Sequence, residues 1–299
     1  MKIGYPCINT TVGCTTNSTF RLSSYSENRL KKTVASNLDC LKNILQYNVS
    51  NDILFFRISS DIVPFASHPV CEFSWAKRFS EDLSTLGGYI RKHDIRISMH
   101  PDQFVLINST RQEVNDRSIK ELAYQCTILD HMNLDSTAKV QLHVGGVYGD
   151  KQGAMLRFTK NYDSLPEAIK RRLVIENDHR LFSVEDCFRI AETANIPVLF
   201  DVFHHSCLNH DESVRGAVQK CMRTWRTRDG LLMVDYSNQK RKARTGVHAW
   251  SIDLGQFRSF LKRTKGLDFD IMLEIKDKER SVLKAQKVLN SYWQSGTRR

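Results

Sequence analysis

Eight short and nearly continuous apolar segments recur along this 299-residue chain, and each is followed by a longer amphipathic stretch. A parallel strand that is covered on both faces has such a continuous apolar composition. Strict alternation of these strands with helices predicts an α/β protein, a single eight-stranded parallel β/α (TIM) barrel, rather than an open sheet. The predicted strands are 2–7, 53–58, 95–99, 139–144, 173–177, 196–201, 231–236 and 270–275.

Helices are predicted in the amphipathic stretches between the strands. Ser183 followed by Asp186, and Ser251 with Asp253, supply the polar residues expected where a helix begins. A barrel of this kind needs about 250 residues, so one domain is expected to span residues 1–299. The predicted helices lie near 27–47, 74–93, 112–132, 153–169, 183–194, 211–226, 254–264 and 279–291.

Composition and cysteine spacing limit the class of protein. No apolar run approaches the ~20 residues of a membrane span, and the N-terminus lacks a signal-peptide profile, which predicts a cytoplasmic, intracellular protein. Eight cysteines occur without any Cys-x-x-Cys pair, and several lie in predicted helices or strands. We therefore expect reduced, structural thiols at Cys7, Cys14, Cys40, Cys71, Cys126, Cys187, Cys207 and Cys221.

Side chains that can bind metals or phosphates follow nearly every predicted strand. In a β/α barrel the active site is built from these strand ends and the loops after them. A single histidine at a strand end is more often structural, and an aspartate there often caps a helix. Glu176 and Glu274, however, lie within apolar strands, where an unpaired carboxylate would be costly. The convergent residues are Tyr5, Asn9, His68, His100, His143, Glu176, Asp201, His204, Asp235, His248 and Glu274.

The residue types in this group indicate the kind of metal site. Imidazole and carboxylate ligands without thiolates are typical of Mn²⁺, Zn²⁺ or Fe²⁺. The ligands suffice for two or three ions, because one ion needs about three protein ligands and an open position for water. Metals about 3.5–4 Å apart bind both the attacking and the leaving oxygen of a phosphoryl displacement, so the pattern favours phosphate chemistry.

The charge of the chain favours a polyanionic partner. Forty-four lysine and arginine residues against 33 aspartate and glutamate residues give a net charge of +11 and a pI near 9.3. Such a surface suits nucleic acid first, although basic proteins without this role are common. Most basic runs are solvated surfaces, but the run that precedes His248 is predicted to follow a phosphate backbone. Its members are Lys240, Arg241, Lys242 and Arg244.

Short motifs occur in a fixed order at the predicted strand ends. They are Gly4-Tyr5 with Asn9, Phe56-Arg57-Ile58-Ser59-Ser60, Ala66-Ser67-His68-Pro69, Ser98-Met99-His100-Pro101 with Gln103, His143-Val144-Gly145, Val174-Ile175-Glu176-Asn177-Asp178, Asp201 with His204-His205, and Glu274-Ile275-Lys276-Asp277-Lys278. With these motifs the chain resembles the UV damage endonucleases over nearly its whole length, and more distantly endonuclease IV and the xylose-isomerase-like barrels. The resemblance implies a metal-dependent DNA repair hydrolase that nicks duplex DNA 5′ to cyclobutane pyrimidine dimers and 6-4 photoproducts.

The resemblance also implies roles for single residues. Glu176 would bridge two metals. His100 and His143 would complete the first metal site, and Asp201 and Glu274 would complete the second. Mn²⁺ is the usual metal, with Zn²⁺, Co²⁺ and Mg²⁺ as alternatives. His204 and His248 would hold a third ion. Tyr5, Asn9 and His68 would be catalytic residues near the scissile phosphate or the lesion. Gln103 and Phe104 would enter the duplex opposite the lesion.

Two positions depart from the family pattern. Met233 and Asp235 stand where many members have Lys-x-His at the end of strand 7. Asp235 can still bind a metal, but Met233 cannot take over any role of a lysine. Phe104 stands where a tyrosine is common, so the ring can still stack on a base but has no hydroxyl to form a hydrogen bond.

Other classes of function remain open. An apurinic-site endonuclease of the endonuclease IV type is the nearest alternative, a metal-dependent sugar isomerase on the same barrel is the second, and a catalytically silent DNA-binding barrel is the third. We expect a monomer that acts on damaged double-stranded DNA without a membrane partner. In the expected mechanism a metal-bound hydroxide attacks the phosphorus, because coordination lowers the pKa of water to about 7.

Overall fold

The strands of the protein close into a barrel. The computed structural model describes residues 1–296, with side chains described for residues 1–291. Within this part, eight parallel strands pair in chain order and β8 pairs with β1, which confirms the prediction of a single TIM barrel. The strands are β1 Ile3–Pro6, β2 Phe55–Ile58, β3 Arg96–Met99, β4 Lys139–His143, β5 Leu173–Glu176, β6 Val198–Asp201, β7 Leu232–Tyr236 and β8 Phe269–Leu273.

Helices surround the barrel in the predicted alternation, with three differences. The predicted helices 74–93 and 153–169 are each two helices, the second pair being separated where Pro166 disfavours helical backbone in the residue before it. A short helix, α8, directly follows β6. None of the helices in residues 1–296 has the length and apolarity of a membrane span. The helices are α1 Glu27–Ser50, α2 Trp75–Arg78, α3 Ser80–Lys92, α4 Gln112–His131, α5 Lys151–Asp163, α6 Glu167–Lys170, α7 Val184–Ala194, α8 Val202–Cys207, α9 Val214–Met222, α10 Leu254–Arg263 and α11 Glu279–Gly296.

The interior of the barrel is layered, because alternate residues of each strand point towards its axis. The lowest layer contains two buried ion pairs, Arg96–Asp270 at 2.8 Å and Lys139–Asp229 at 2.5 Å. The upper layer, at the carboxyl ends of the strands, is again polar. A separate apolar cluster lies between them and consists of Phe55, Val174, Leu199, Met233 and Met272. Met233 is therefore part of the core below the polar mouth.

Cys14 and Cys40 form a disulfide, which corrects the expectation that all eight cysteines are thiols. Cys14 lies in the loop between β1 and α1, and Cys40 lies on α1, with their Cα atoms 5.8 Å apart. The spacing of Cys14 and Cys40 in the sequence does not predict the disulfide, because the disulfide depends on the loop folding back along the helix. Asn37 of α1 holds the loop there by exchanging hydrogen bonds of 3.1 Å with the backbone of Ser18. The other six cysteines are free.

Candidate active site

The carboxyl ends of the strands surround an open cavity of about 780 Å³. Its wall includes Arg57 of β2, His100 after β3, His143 of β4 and Glu274 after β8. Strand pairing sets how far along the barrel axis each of these residues lies. His143, for example, is the register partner of Glu176 in the neighbouring strand. The predicted convergence of ligand-type residues from separate strands is therefore present in the structure.

Within the side chains that the structure describes, three overlapping groups of histidines and carboxylates lie at this mouth. Within each group the possible ligand atoms all lie within 4.8 Å of one another. Glu176 belongs to the first two groups and Asp201 to the last two, so the groups form one continuous arc. They are His100, His143 and Glu176; Glu176, Asp201 and His204; and Asp201, Asp235 and Glu274.

The contacts within this arc fit divalent cations. Glu176 lies 3.5 Å from Nε2 of His100 and 3.3 Å from Nδ1 of His204, with a different carboxylate oxygen facing each ring. Among the described residues, Oδ2 of Asp201 and Nδ1 of both His100 and His143 are buried without a hydrogen-bond partner. Unpaired buried polar atoms are costly. A divalent cation bound by the arc would compensate the carboxylates and give the buried Asp201 oxygen a partner.

Protonation in the metal-free arc reflects the same crowding of charge. Burial raises the pKa of the Asp201 carboxyl to about 7. Burial also acts to lower the pKa of His204, but the carboxylates of Asp201 and Glu176 outweigh it and raise this pKa to about 11. Burial lowers the pKa of His143, which favours the neutral imidazole that a metal requires. A proton on His204 thus supplies part of the positive charge that the carboxylates need.

Arg57 supplies a second, permanent positive charge. Its Nη2 donates to both carboxylate oxygens of Asp235, at 2.9 and 2.7 Å, and its Nη1 donates to Glu274. Burial opposes the guanidinium charge, but Asp235 and Glu274 outweigh burial and raise the pKa of Arg57. Gln141 donates to Asp235 and Glu176, both at 2.8 Å. Asp235, a predicted metal ligand, is therefore already held by an arginine and an amide.

His248 approaches the arc from the loop after β7. Its Nδ1 lies 3.0 Å from the Ser237 hydroxyl and 2.9 Å from the Glu274 carbonyl oxygen. The His204 and His248 rings have centroids 6.3 Å apart. The two histidines predicted to hold a third ion are therefore neighbours, with Nε2 of His248 left for another contact.

The three residues predicted near the scissile phosphate do not line the cavity. Tyr5 is fully buried, donates to Asn48 at 2.7 Å and accepts from the Asn9 amide at 2.7 Å. Oδ1 of Asn9 in turn accepts from two backbone N–H groups of its own loop. His68 is exposed in the loop after β2, where its Nδ1 accepts from the backbone of Val70 at 3.0 Å. The structure thus gives Tyr5 and Asn9 a role in supporting the loop after β1, and their catalytic role stays a prediction.

The residues predicted to contact DNA lie on opposite sides of the cavity. Gln103 and Phe104 line it from the loop after β3, and the Phe104 side chain is 75% exposed. Gly246, Val247 and His248 line it from the loop after β7. The same loop carries the exposed basic residues Lys240, Arg241, Lys242 and Arg244.

Sequence reasoning assigned no role to three polar residues of the mouth. Arg57 interrupts an otherwise apolar strand, as Glu176 does, and this pattern could have identified it as a partner of a buried carboxylate. Gln141 lies two residues before His143, so alternation places both on the inner face. Lys278 lies beyond β8 and lines the cavity, and its place in the motif that follows Glu274 could have identified it as a mouth residue.

Comparison with known proteins gives a consistent assignment. A model of the family described as UV-endonuclease UvdE matches residues 1–296. The UV DNA damage endonuclease of Clostridium perfringens (strain 13 / Type A) is 40% identical over 286 residues, which cover 95% of this chain and 69% of that protein. The crystal structure of SacUVDE matches with a TM-score of 0.94 and 46% identity, covering 98% of this chain and 99% of that chain. Endonuclease IV from Thermus thermophilus has a TM-score of 0.60 at 16% identity, covering 86% of this chain and 95% of that chain, which shows a likeness of fold alone.

Proposed function

The chain belongs to the UV-endonuclease UvdE family, and we propose that it is a metal-dependent hydrolase that nicks damaged duplex DNA 5′ to UV photoproducts. The observation that carries the proposal is the continuous arc of three ligand groups beside an open cavity of about 780 Å³. A metal-dependent endonuclease needs such a concentration of metal ligands where a phosphodiester can reach it.

Divalent ions bound by the arc would lower the pKa of a water molecule and stabilise the negative charge that develops on the leaving 3′-oxygen. We propose two or three ions, Mn²⁺ first, with Zn²⁺, Co²⁺ and Mg²⁺ as alternatives. Gln141 fixes the orientation of Glu176 through its 2.8 Å hydrogen bond. Arg57 offsets the charge of Asp235 and Glu274, so the β7 side of the arc needs less metal charge than the rest.

Lesion recognition is proposed for the rim formed by Gln103 and Phe104. An exposed aromatic ring beside a planar amide fits the gap that an extruded dimer leaves in the duplex. His68 lies on a neighbouring loop, where it can contact the same strand. The catalytic role proposed for Tyr5 and Asn9 would be indirect, because their hydrogen bonds support the loop after β1. We further propose that residues 1–299 act as one domain and as a monomer, on damaged double-stranded DNA, in the cytoplasm near the nucleoid.

The test is nicking of UV-irradiated supercoiled plasmid with Mn²⁺ and with EDTA. We expect nicking with Mn²⁺ alone, and none from Glu176→Gln, because the amide removes the shared charge of two ligand groups. Glu176→Gln should still bind irradiated DNA. Glu192→Gln is the matched control, since Glu192 is exposed on α7 away from the cavity. Full activity of Glu176→Gln would refute the metal assignment.

A depurinated plasmid distinguishes the proposed function from its nearest alternative. Nicking of depurinated but not irradiated plasmid by the wild-type chain would identify an apurinic-site endonuclease. Turnover of ketoses or aldoses without nicking of either plasmid would identify a sugar isomerase. Binding of DNA without turnover of any of these would identify a silent DNA-binding barrel.

A further inference from the structure

Three cationic side chains of the described residues line the cavity, and they differ in whether their charge is already neutralised. Arg57 is held by Asp235 and Glu274. Lys276 is exposed to water. Lys278 is only partly exposed, and within the part of the chain that the structure describes its ammonium has no ion pair or hydrogen bond.

The position of Lys278 is unfavourable for a lysine in three respects. Burial lowers the pKa of its ammonium, and the nearby carboxylate of Glu274 offsets this only in part. Its backbone has φ +51°, in the left-handed region that non-glycine residues rarely occupy. It directly precedes α11, and a positive charge at the N-terminus of a helix is repelled by the helix dipole.

An anion in the cavity would relieve the electrostatic part of this cost. It would give the ammonium a counter-charge, which no ion pair among the described residues supplies. The cavity wall next to Lys278 is formed by Cys7, whose φ is +72° and whose backbone N–H donates to the Arg57 carbonyl at 2.8 Å. Two left-handed residues from different strand ends thus shape the same wall beside Glu274.

We infer that Lys278 binds a backbone phosphate of the DNA strand that enters the cavity, next to the metal-ligand arc. This inference rests on the proposed function, because a phosphodiester is the anion that a DNA endonuclease admits. Unlike Arg57, Lys278 can supply this charge without first breaking an ion pair, and unlike Lys276 it is only partly exposed to water, so its charge is less screened. It lies on the β8 side of the mouth, so its phosphate contact is separate from the basic loop after β7.

The first measurement is binding of irradiated duplex DNA by the intact chain over a range of salt concentrations, in EDTA so that cleavage does not interfere. We expect Lys278→Met to weaken binding about tenfold, as for loss of a hydrogen bond to a charged group. The slope of log affinity against log salt should fall by about 0.9, the value for one phosphate contact. Lys278→Arg should restore both. Lys262→Met, at an exposed position of α10, controls for the loss of one charge.

The second measurement reports the anion site without DNA. Inorganic phosphate should raise the Tm of the wild-type chain, because a ligand that binds only the folded state stabilises it. The rise should be absent in Lys278→Met and retained in Lys262→Met. Lys278→Met and Lys278→Arg both keep an unbranched side chain, so the left-handed backbone of residue 278 is not further strained.

The two measurements distinguish failure of this inference from failure of the proposed function. If the wild-type chain nicks irradiated plasmid but Lys278→Met keeps the wild-type salt slope and phosphate response, Lys278 does not bind phosphate. If the wild-type chain nicks no plasmid while phosphate protects it through Lys278, the anion site stands and the proposed substrate is wrong.

Discussion

Asp235 and Glu274 share one guanidinium, and this pairing defines the β7 side of the mouth. Arg57 is 2% exposed, so its charge is not screened by water. Two ligand-type carboxylates are thus kept together by Arg57, and one of them, Asp235, stands where the family pattern has the histidine of Lys-x-His. The apolar side chain of Met233 fits below this pair, because the neighbouring residues Phe55 and Leu199 are also apolar.

Removing Arg57 is expected to destabilise the metal-free protein strongly. Arg57→Met leaves the buried Asp235 and the half-buried Glu274 without their guanidinium partner, and breaking a buried pair in this way costs about 3–5 kcal/mol. The free energy of unfolding in urea, measured in EDTA, tests this. Arg189→Met removes an exposed pair with Glu185 and should cost less than about 1 kcal/mol. Equal effects of the two substitutions would show that Arg57 does not hold the carboxylates.

Phe104 is expected to act on DNA and not on the fold. Phe104→Ala should weaken binding to irradiated duplex by about 1–3 kcal/mol, the range for one stacked base. Because the ring is 75% exposed, the Tm should stay at the wild-type value. Leu156→Ala, at a residue of α5 that is 68% exposed, is the control for removing a surface apolar group. Wild-type binding and cleavage by Phe104→Ala would place recognition elsewhere.

At the scale of elements, the side chain of Gln239 links several backbone groups of the loop between β7 and α10 by hydrogen bonds. The amide of Gln239 donates to the carbonyl oxygens of Lys240 and Arg244, both at 3.0 Å, and accepts from the N–H of Gly246 at 3.0 Å. Gln239 and His248 also form an antiparallel bridge. These contacts use backbone atoms, so the basic side chains remain free to meet a phosphate backbone.

Neutralising this loop should therefore weaken DNA binding without unfolding it. Changing all four basic residues, Lys240, Arg241, Lys242 and Arg244, to glutamine should lower the slope of log affinity against log salt by about 0.9 for each phosphate that the loop no longer binds. Undamaged and irradiated duplexes should be affected alike, because phosphate contacts carry no information about the base. Glutamine at Lys262 and Lys265, exposed at the end of α10, is the control. An unchanged slope would mean that DNA does not follow this loop.

At the scale of the whole molecule, the barrel concentrates carboxylates that only a cation can compensate. In the metal-free protein the pKa of His204 is raised to about 11, well above the unfolded value of about 6.5. The protonated imidazole thus contributes stability that is complete below about pH 6.5 and is lost as pH rises towards 11. The protonated carboxyl of Asp201, whose pKa is raised to about 7, also contributes stability that is lost as pH rises, and this loss occurs at lower pH than the loss from His204.

Metal binding should replace these protons, so its effect on stability should grow with pH. At 100 times its Kd, one ion adds about 2.7 kcal/mol to the free energy of unfolding. We expect the rise in Tm on adding Mn²⁺ to be larger at pH 8 than at pH 6, because metal and proton compete for the same ligands. Thermal unfolding with Mn²⁺ and with EDTA at both pH values measures this. A rise that is the same at both pH values, or undiminished in Glu176→Gln, would argue against binding at the arc.

The sequence by itself determined the barrel and the identity of most residues at its mouth. Alternation of apolar strands with helices is a local pattern, and a closed parallel barrel brings all strand ends to one side. The inward direction of Glu176 and His143 follows from the two-residue period of a strand. The predicted segment 2–7 extends one residue beyond each end of β1, and 270–275 begins one residue after the start of β8 and ends two residues beyond it, since hydrogen bonding between strands sets their ends.

Only the tertiary structure decided which polar groups compensate one another. Arg57 and Asp235 are 178 residues apart, and their pairing depends on how far each strand rises in the barrel. Tyr5 and Asn9 share the strand-end position of true cavity residues, but Tyr5 donates to Asn48 of α1, Asn9 donates to Tyr5, and both are buried. Contacts of this kind form between side chains that are distant in sequence, so no local pattern specifies them. The same physical reason applies to the Cys14–Cys40 disulfide and to the exposure of Lys278 to the cavity.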